Sequence, residues 1–128
     1  MMGLHLTAWV TLASLVVYIW MAYKVVEARV KHNVPAPAMD GPLAFQSAMR
    51  VQVNTLEQIA IFLPALWLCA VYLGDSWAAA GGLLWIVGRI VYALGYYQAP
   101  SKREIGFGMT FFASVALMIG AAVGLFLH

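Results

Sequence analysis

The chain alternates long apolar runs with short polar intervals. A helix that crosses a bilayer needs about 20 mostly apolar residues. Four stretches have that length and character, at about residues 4–26, 43–73, 76–97 and 105–127. The interval from Val30 to Pro42 holds Pro35, Pro37, Gly41 and Pro42, so no helix continues through it. Gly74-Asp75 predicts a tight turn between the second and third stretches, and Ala99-Pro100-Ser101 ends the third. Lys24, Arg29 and Lys31 follow the first stretch and no basic residue precedes it, the reverse of a signal peptide. The pattern predicts an all-α protein, an integral membrane four-helix bundle forming one domain over residues 1–128.

Composition agrees. The 128 residues are 64% hydrophobic and 9% charged, with a mean hydropathy of +0.86. A soluble domain carries about 25% charged residues. The net charge of +2 is small and scattered, which excludes a nucleic-acid partner. The single cysteine, Cys69, lies in an apolar run; it excludes an intrachain disulfide and reads as a small buried hydrophobe. His5, His32 and His128 lack ligand-type spacing, so no metal is expected.

The basic residues set an orientation. Lys24, Arg29 and Lys31 flank the first loop, Lys102 and Arg103 lie in the third, and the second has only Asp75. Loops one and three are then cytoplasmic and both termini outside, as an even number of spans requires. With such compact loops and no retention signal, the expected membrane is the bacterial inner membrane. Tyr72, Trp77, Tyr96 and Tyr97 fall near segment ends, where interfacial anchors belong. Gly81, Gly88 and Gly95 recur every seventh residue, and Gly120 and Gly124 form a small-xxx-small pair. Such residues let helices approach closely in lipid. Pro64 predicts a kink in the second helix.

Candidate chemistry sits in the second and third helices. Arg50, Asn54 and Glu57 follow at spacings of four and three, which puts them on one helix face. Arg89, Tyr92 and Tyr96 make a matching stripe. Ionisable groups at membrane depth are costly and face a protein interior or polar cavity. Depth arithmetic puts Glu57 about 10 Å below Arg50, and Arg89 about 12 Å from Tyr97, so Glu57 and Arg89 could share a layer and pair. Arg29, Arg50 and Arg103 then remain as fixed cations suited to an anionic ligand. Gln52, Asn54, Gln58, Tyr92 and Tyr96 add neutral hydrogen-bonding groups. Gln52 is about 200° around the helix from Arg50 and would serve a neighbouring subunit. Alternatively, Arg50, Glu57 and Arg89 pair only with one another and lock the bundle.

The stretch Arg50-Val51-Gln52-Val53-Asn54-Thr55-Leu56-Glu57, followed by Phe62-Leu63-Pro64-Ala65-Leu66-Trp67, resembles a signature of the MAPEG family, the membrane-associated proteins in eicosanoid and glutathione metabolism. Arg89, Tyr92, Gly95 and Tyr96 resemble its third-helix pattern, and Arg103 falls where the family carries an arginine before helix four. The likeness spans essentially the whole chain and is greatest to the leukotriene C synthase and microsomal glutathione transferase branch. It implies a homotrimer that binds glutathione at subunit interfaces near the cytoplasmic face. Arg50, Asn54, Glu57, Tyr92 and Tyr96 would hold glutathione, Arg29 and Gln52 would come from the neighbouring subunit, and Arg103 would face the thiol. Two positions depart from the leukotriene-synthesising members. Val30 stands where they have a second arginine, which argues against leukotriene synthesis itself, and Gln58 stands where they have a tyrosine, which weakens one ligand contact.

The residues fit that ligand chemically. Glutathione has two carboxylates, one ammonium and one thiol. Arg50 and Arg29 suit the carboxylates and Glu57 suits the ammonium. Arg103, close to a helix start, favours a thiolate, which is the nucleophile. An apolar groove between helices could hold a lipophilic electrophile. The expected activity is a glutathione transferase or peroxidase, with glutathione as co-substrate, membrane lipids around it and no metal. Two other functions compete. One is a non-catalytic lipid-binding scaffold, which need not keep the stripe glutamate. The other is a small four-span exporter, which would not surround its carboxylate with arginines.

Overall fold

A computed structural model describes residues 3–128. Four helices, α1 (His5–His32), α2 (Leu43–Tyr72), α3 (Asp75–Gln98) and α4 (Glu104–Leu127), run in alternating directions, with a 3-10 turn, Pro100–Arg103, leading into α4. Each is long and apolar enough to cross a membrane. Large apolar side chains such as Trp9, Ile19, Trp77 and Phe112 point outward, as lipid-facing positions do. The all-α four-helix architecture expected from the hydropathy pattern is the one observed.

The first helix runs six residues beyond its expected end at residue 26. Nothing between Val26 and His32 breaks a helix. The stop comes at Asn33, whose left-handed φ of 56° closes α1. The Val34 N–H then donates to the Arg29 carbonyl at 3.0 Å, a Schellman-type end. Arg29, Lys31 and His32 in the last turn face the negative end of the helix dipole. At the other end of α1, Leu4 offers no side-chain cap. Asp75, the first residue of α3, supplies one across space. Its carboxylate accepts the Thr7 N–H at 2.8 Å and the Thr7 hydroxyl at 2.6 Å. The turn that delivers Asp75 depends on Gly74, whose φ of 152° disfavours other residues.

Helices α2 and α3 each pack against all the other helices, with α1 and α4 flanking the pair. Phe62 of α2 stacks on Trp85 of α3, ring centres 4.0 Å apart and nearly parallel. Leu66, Ala78, Ala113 and Leu117 bury around them. α2 passes through Pro64 without interruption. The expected glycine series lies at the α3–α4 seam: Gly81 abuts Leu117, Gly88 abuts Thr110, and Gly95 abuts the Lys102 carbonyl. From the α4 side, Gly106 sits against the Tyr92 backbone, where a β-carbon has no room. This close approach holds the start of α4 beside the C-terminal residues of α3, and so positions the site.

Candidate functional site

The ends of α2 and α3 near loops one and three, together with the start of α4, enclose a cavity of about 520 Å³. Its walls are Arg50 and Asn54 from α2, Tyr92 and Tyr96 from α3, and Arg103, Glu104, Phe107 and Gly108 from the turn and α4. Five residues singled out in the sequence therefore share one cavity: Arg50, Asn54, Tyr92, Tyr96 and Arg103. The helical spacings explain their convergence, since residues four apart on a helix project from the same face.

Arg103 is the residue from which α4 starts. Its Nη1 donates to the Pro100 carbonyl at 2.6 Å, and its guanidinium lies 5.8 Å from the Tyr96 ring centre. The Tyr92 and Tyr96 rings meet edge to face at 5.7 Å. Tyr92 also faces Phe107 at 6.3 Å.

Behind this wall lies Arg89, with 0% of its surface exposed. Its Nη1 donates to Asn54 Oδ1 at 2.8 Å and to Thr55 Oγ1 at 3.1 Å. Its Nη2 donates to Thr110 Oγ1 at 2.8 Å, and that hydroxyl donates onward to the Phe107 carbonyl at 2.9 Å. The guanidinium stands 4.3 Å from the Tyr92 ring centre. All three side-chain acceptors are neutral. The expected Arg89–Glu57 pair does not form, nor do Arg50, Glu57 and Arg89 lock together. Among the described residues the ion pair within 4 Å is Lys24–Glu27, at 3.4 Å on the surface of α1. From α2, Arg89 is met by Asn54 at the edge of the helix face and by the fully buried Thr55. Glu57 lies about 200° around the helix from Thr55 and about 60° beyond Asn54, on the exposed side.

The remaining candidates lie outside this cavity within one chain. Gln52 donates to the Tyr18 hydroxyl of α1 at 2.6 Å. Arg29 donates to the Val34 and Ala38 carbonyls at 3.1 and 2.8 Å, and its guanidinium lies 5.0 Å from the Phe45 ring centre. Gln58 is half-buried and Glu57 exposed. Lys31 lines a separate cleft with Lys24 and Tyr97, about 200° around α1 from Arg29. Sequence reasoning missed Thr55, Thr110, Glu104, Phe107 and Gly108. The available signal was Thr110, a hydroxyl inside the most apolar of the helices, seven residues after Arg103.

The cavity presents two guanidinium groups, two phenols, an amide and one carboxylate. A donor-rich wall of this kind favours an anionic ligand. The apolar side made by Phe107 and Gly108 belongs to α4, whose outer face is exposed and aromatic.

The family model that matches this chain is that of the MAPEG family, over residues 7–123. Over 118 residues the chain is 43% identical to "Uncharacterized protein sll1147" of Synechocystis sp., covering 92% of this chain and 86% of that protein. It is 37% identical to microsomal glutathione S-transferase 2 of Mus musculus over 119 residues, covering 93% and 81% of the two chains. It is 32% identical to leukotriene C4 synthase of Cavia porcellus over 123 residues, covering 96% and 82%.

Proposed function

Since the chain belongs to the MAPEG family, we propose that it is a membrane-bound glutathione transferase, whose thiolate can also reduce lipid hydroperoxides. The observation that carries this reading is the convergence of Arg50, Asn54, Tyr92, Tyr96 and Arg103 on one cavity. Arg50 and Asn54 would hold a glutathione carboxylate, with the two tyrosines as further hydrogen-bonding groups. Arg103 would act on the thiol. A free thiol titrates near 8.5, and a fixed cation at a helix N-terminus lowers that value. The thiol proton leaves to solvent, and the thiolate sulfur forms a bond to an electrophilic carbon as the leaving group departs. Phe107 and Gly108 would face the lipophilic electrophile, which arrives from the bilayer.

The functional unit in this reading is a homotrimer. Arg29 and Gln52 would reach the cavity of a neighbouring copy, and Glu57, on the open side of α2, would meet the glutathione ammonium alongside Gln58. The protein would lie in a bacterial inner membrane with loops one and three cytoplasmic, where glutathione is present.

Arg103→Ala tests the assignment. It should retain glutathione binding while the conjugation rate falls about 100-fold, the scale seen when one electrostatic stabiliser is removed. Full conjugation activity in that variant would remove Arg103 from the mechanism. Failure of the unaltered protein to bind glutathione at millimolar concentration would instead favour the lipid-binding scaffold.

A further inference from the structure

Arg89 is a fully buried charged side chain that the cavity does not use directly, and its contacts decide how a neighbouring residue is turned. An arginine side chain can only donate hydrogen bonds. The atom of Asn54 that meets Arg89 Nη1 at 2.8 Å is therefore the carbonyl Oδ1. Asn54 also lines the cavity. With Oδ1 engaged by Arg89, the other half of the amide, Nδ2, is the half free for a ligand.

We infer that Arg89 is a positioning residue: it fixes the Asn54 amide so that Nδ2 donates into the cavity, and makes that wall selective for an anionic group. The groups around Arg89 support this from every side. Asn54 and Thr55 face it from α2, Thr110 faces it from α4, and the rings of Trp85 and Tyr92 flank it on α3. None is an acid. The guanidinium charge is thus held by neutral acceptors and is not cancelled beside the cavity wall. Thr55 and Thr110 fix the guanidinium plane, which leaves Asn54 one orientation that satisfies it. The identity of the anion, a glutathione carboxylate, rests on the proposed function. The amide orientation rests on the hydrogen bonds alone.

Asn54→Asp separates this role from a merely structural one. The new carboxylate meets Arg89 where Oδ1 stood, and its second oxygen replaces the donor that faced the cavity. The unfolding temperature in detergent should rise, while the dissociation constant for glutathione should increase about tenfold or more. Stability and binding then move in opposite directions. Unchanged glutathione affinity, or a loss of stability, would overturn the inference. In a second pair of variants, Arg89→Lys keeps a charged donor and should bind close to the unaltered protein. Arg89→Gln can offer Asn54 either half of its own amide and should bind more weakly; wild-type affinity in Arg89→Gln would overturn the inference. If the unaltered protein binds no glutathione, the proposed function fails, and the unfolding temperature of Asn54→Asp still decides the orientation: a rise supports it and a fall overturns it.

Discussion

A guanidinium buried without a carboxylate must be satisfied by neutral acceptors, and Thr110 is the one that α4 contributes. Thr110→Val keeps the shape and removes the acceptor, leaving Nη2 bare. That should cost about 1–3 kcal/mol, read as a lower unfolding temperature in detergent, whereas Thr110→Ser should stay near the unaltered protein. Asp75 makes a second, separable contribution. Asp75→Ala removes the cap on α1 and should cost about 1 kcal/mol without changing glutathione binding, because it sits at the opposite end of the bundle from the cavity. At this scale the sequence was partly legible. Arg50, Asn54, Tyr92 and Tyr96 stood out because polar groups at helical spacing interrupt apolar runs. Thr55 and Thr110 did not, since threonine is at home in an apolar helix and carries no charge to attract notice. The Arg89–Glu57 pair fails for a geometric reason: counting residues along a helix gives height, whereas Arg89 sits on the Thr55 side of α2 and takes Asn54 at the edge, leaving Glu57 beyond it.

The helices owe their placement to where β-carbons are absent. At Gly106 an added β-carbon would collide with the Tyr92 backbone, whereas at Gly108, two residues on and about 200° around the helix, it would meet nothing within 4 Å. Gly106→Ala should therefore force α3 and α4 apart, costing about 1–3 kcal/mol, and should disturb the cavity, because Tyr92 and Phe107 flank that contact. Gly108→Ala, where only helix propensity acts, should raise stability by about 0.5–1 kcal/mol. Comparing the two by thermal unfolding in detergent checks whether the seam, and not helix propensity, is what these glycines serve. The glycine heptad on α3 was readable as a packing seam because its period kept it on one face. The end of α1 was less readable. Prolines mark where a helix must have stopped, and α1 stops earlier than Pro35 but later than its apolar run, at the left-handed Asn33.

As a whole, the molecule is polarised. One end carries Asp75, the N-terminal turn of α1 and the last turn of α4; the other carries the cavity and Arg29, Lys31, Lys102 and Arg103. The hydropathy pattern made four spans legible because lipid imposes a length on every crossing helix. What lay outside the reach of sequence alone was which polar groups one chain assembles by itself. Arg50, Asn54, Tyr92, Tyr96 and Arg103 meet within it, while Arg29, Gln52 and Glu57 face elsewhere. In the proposed function this cavity binds glutathione and activates its thiol. The most direct measurement is the ultraviolet difference spectrum on adding glutathione to the purified protein near neutral pH. A saturable thiolate absorbance should appear, and it should vanish in Arg103→Ala while glutathione still binds. Bound glutathione with no thiolate signal in the unaltered protein would contradict that function.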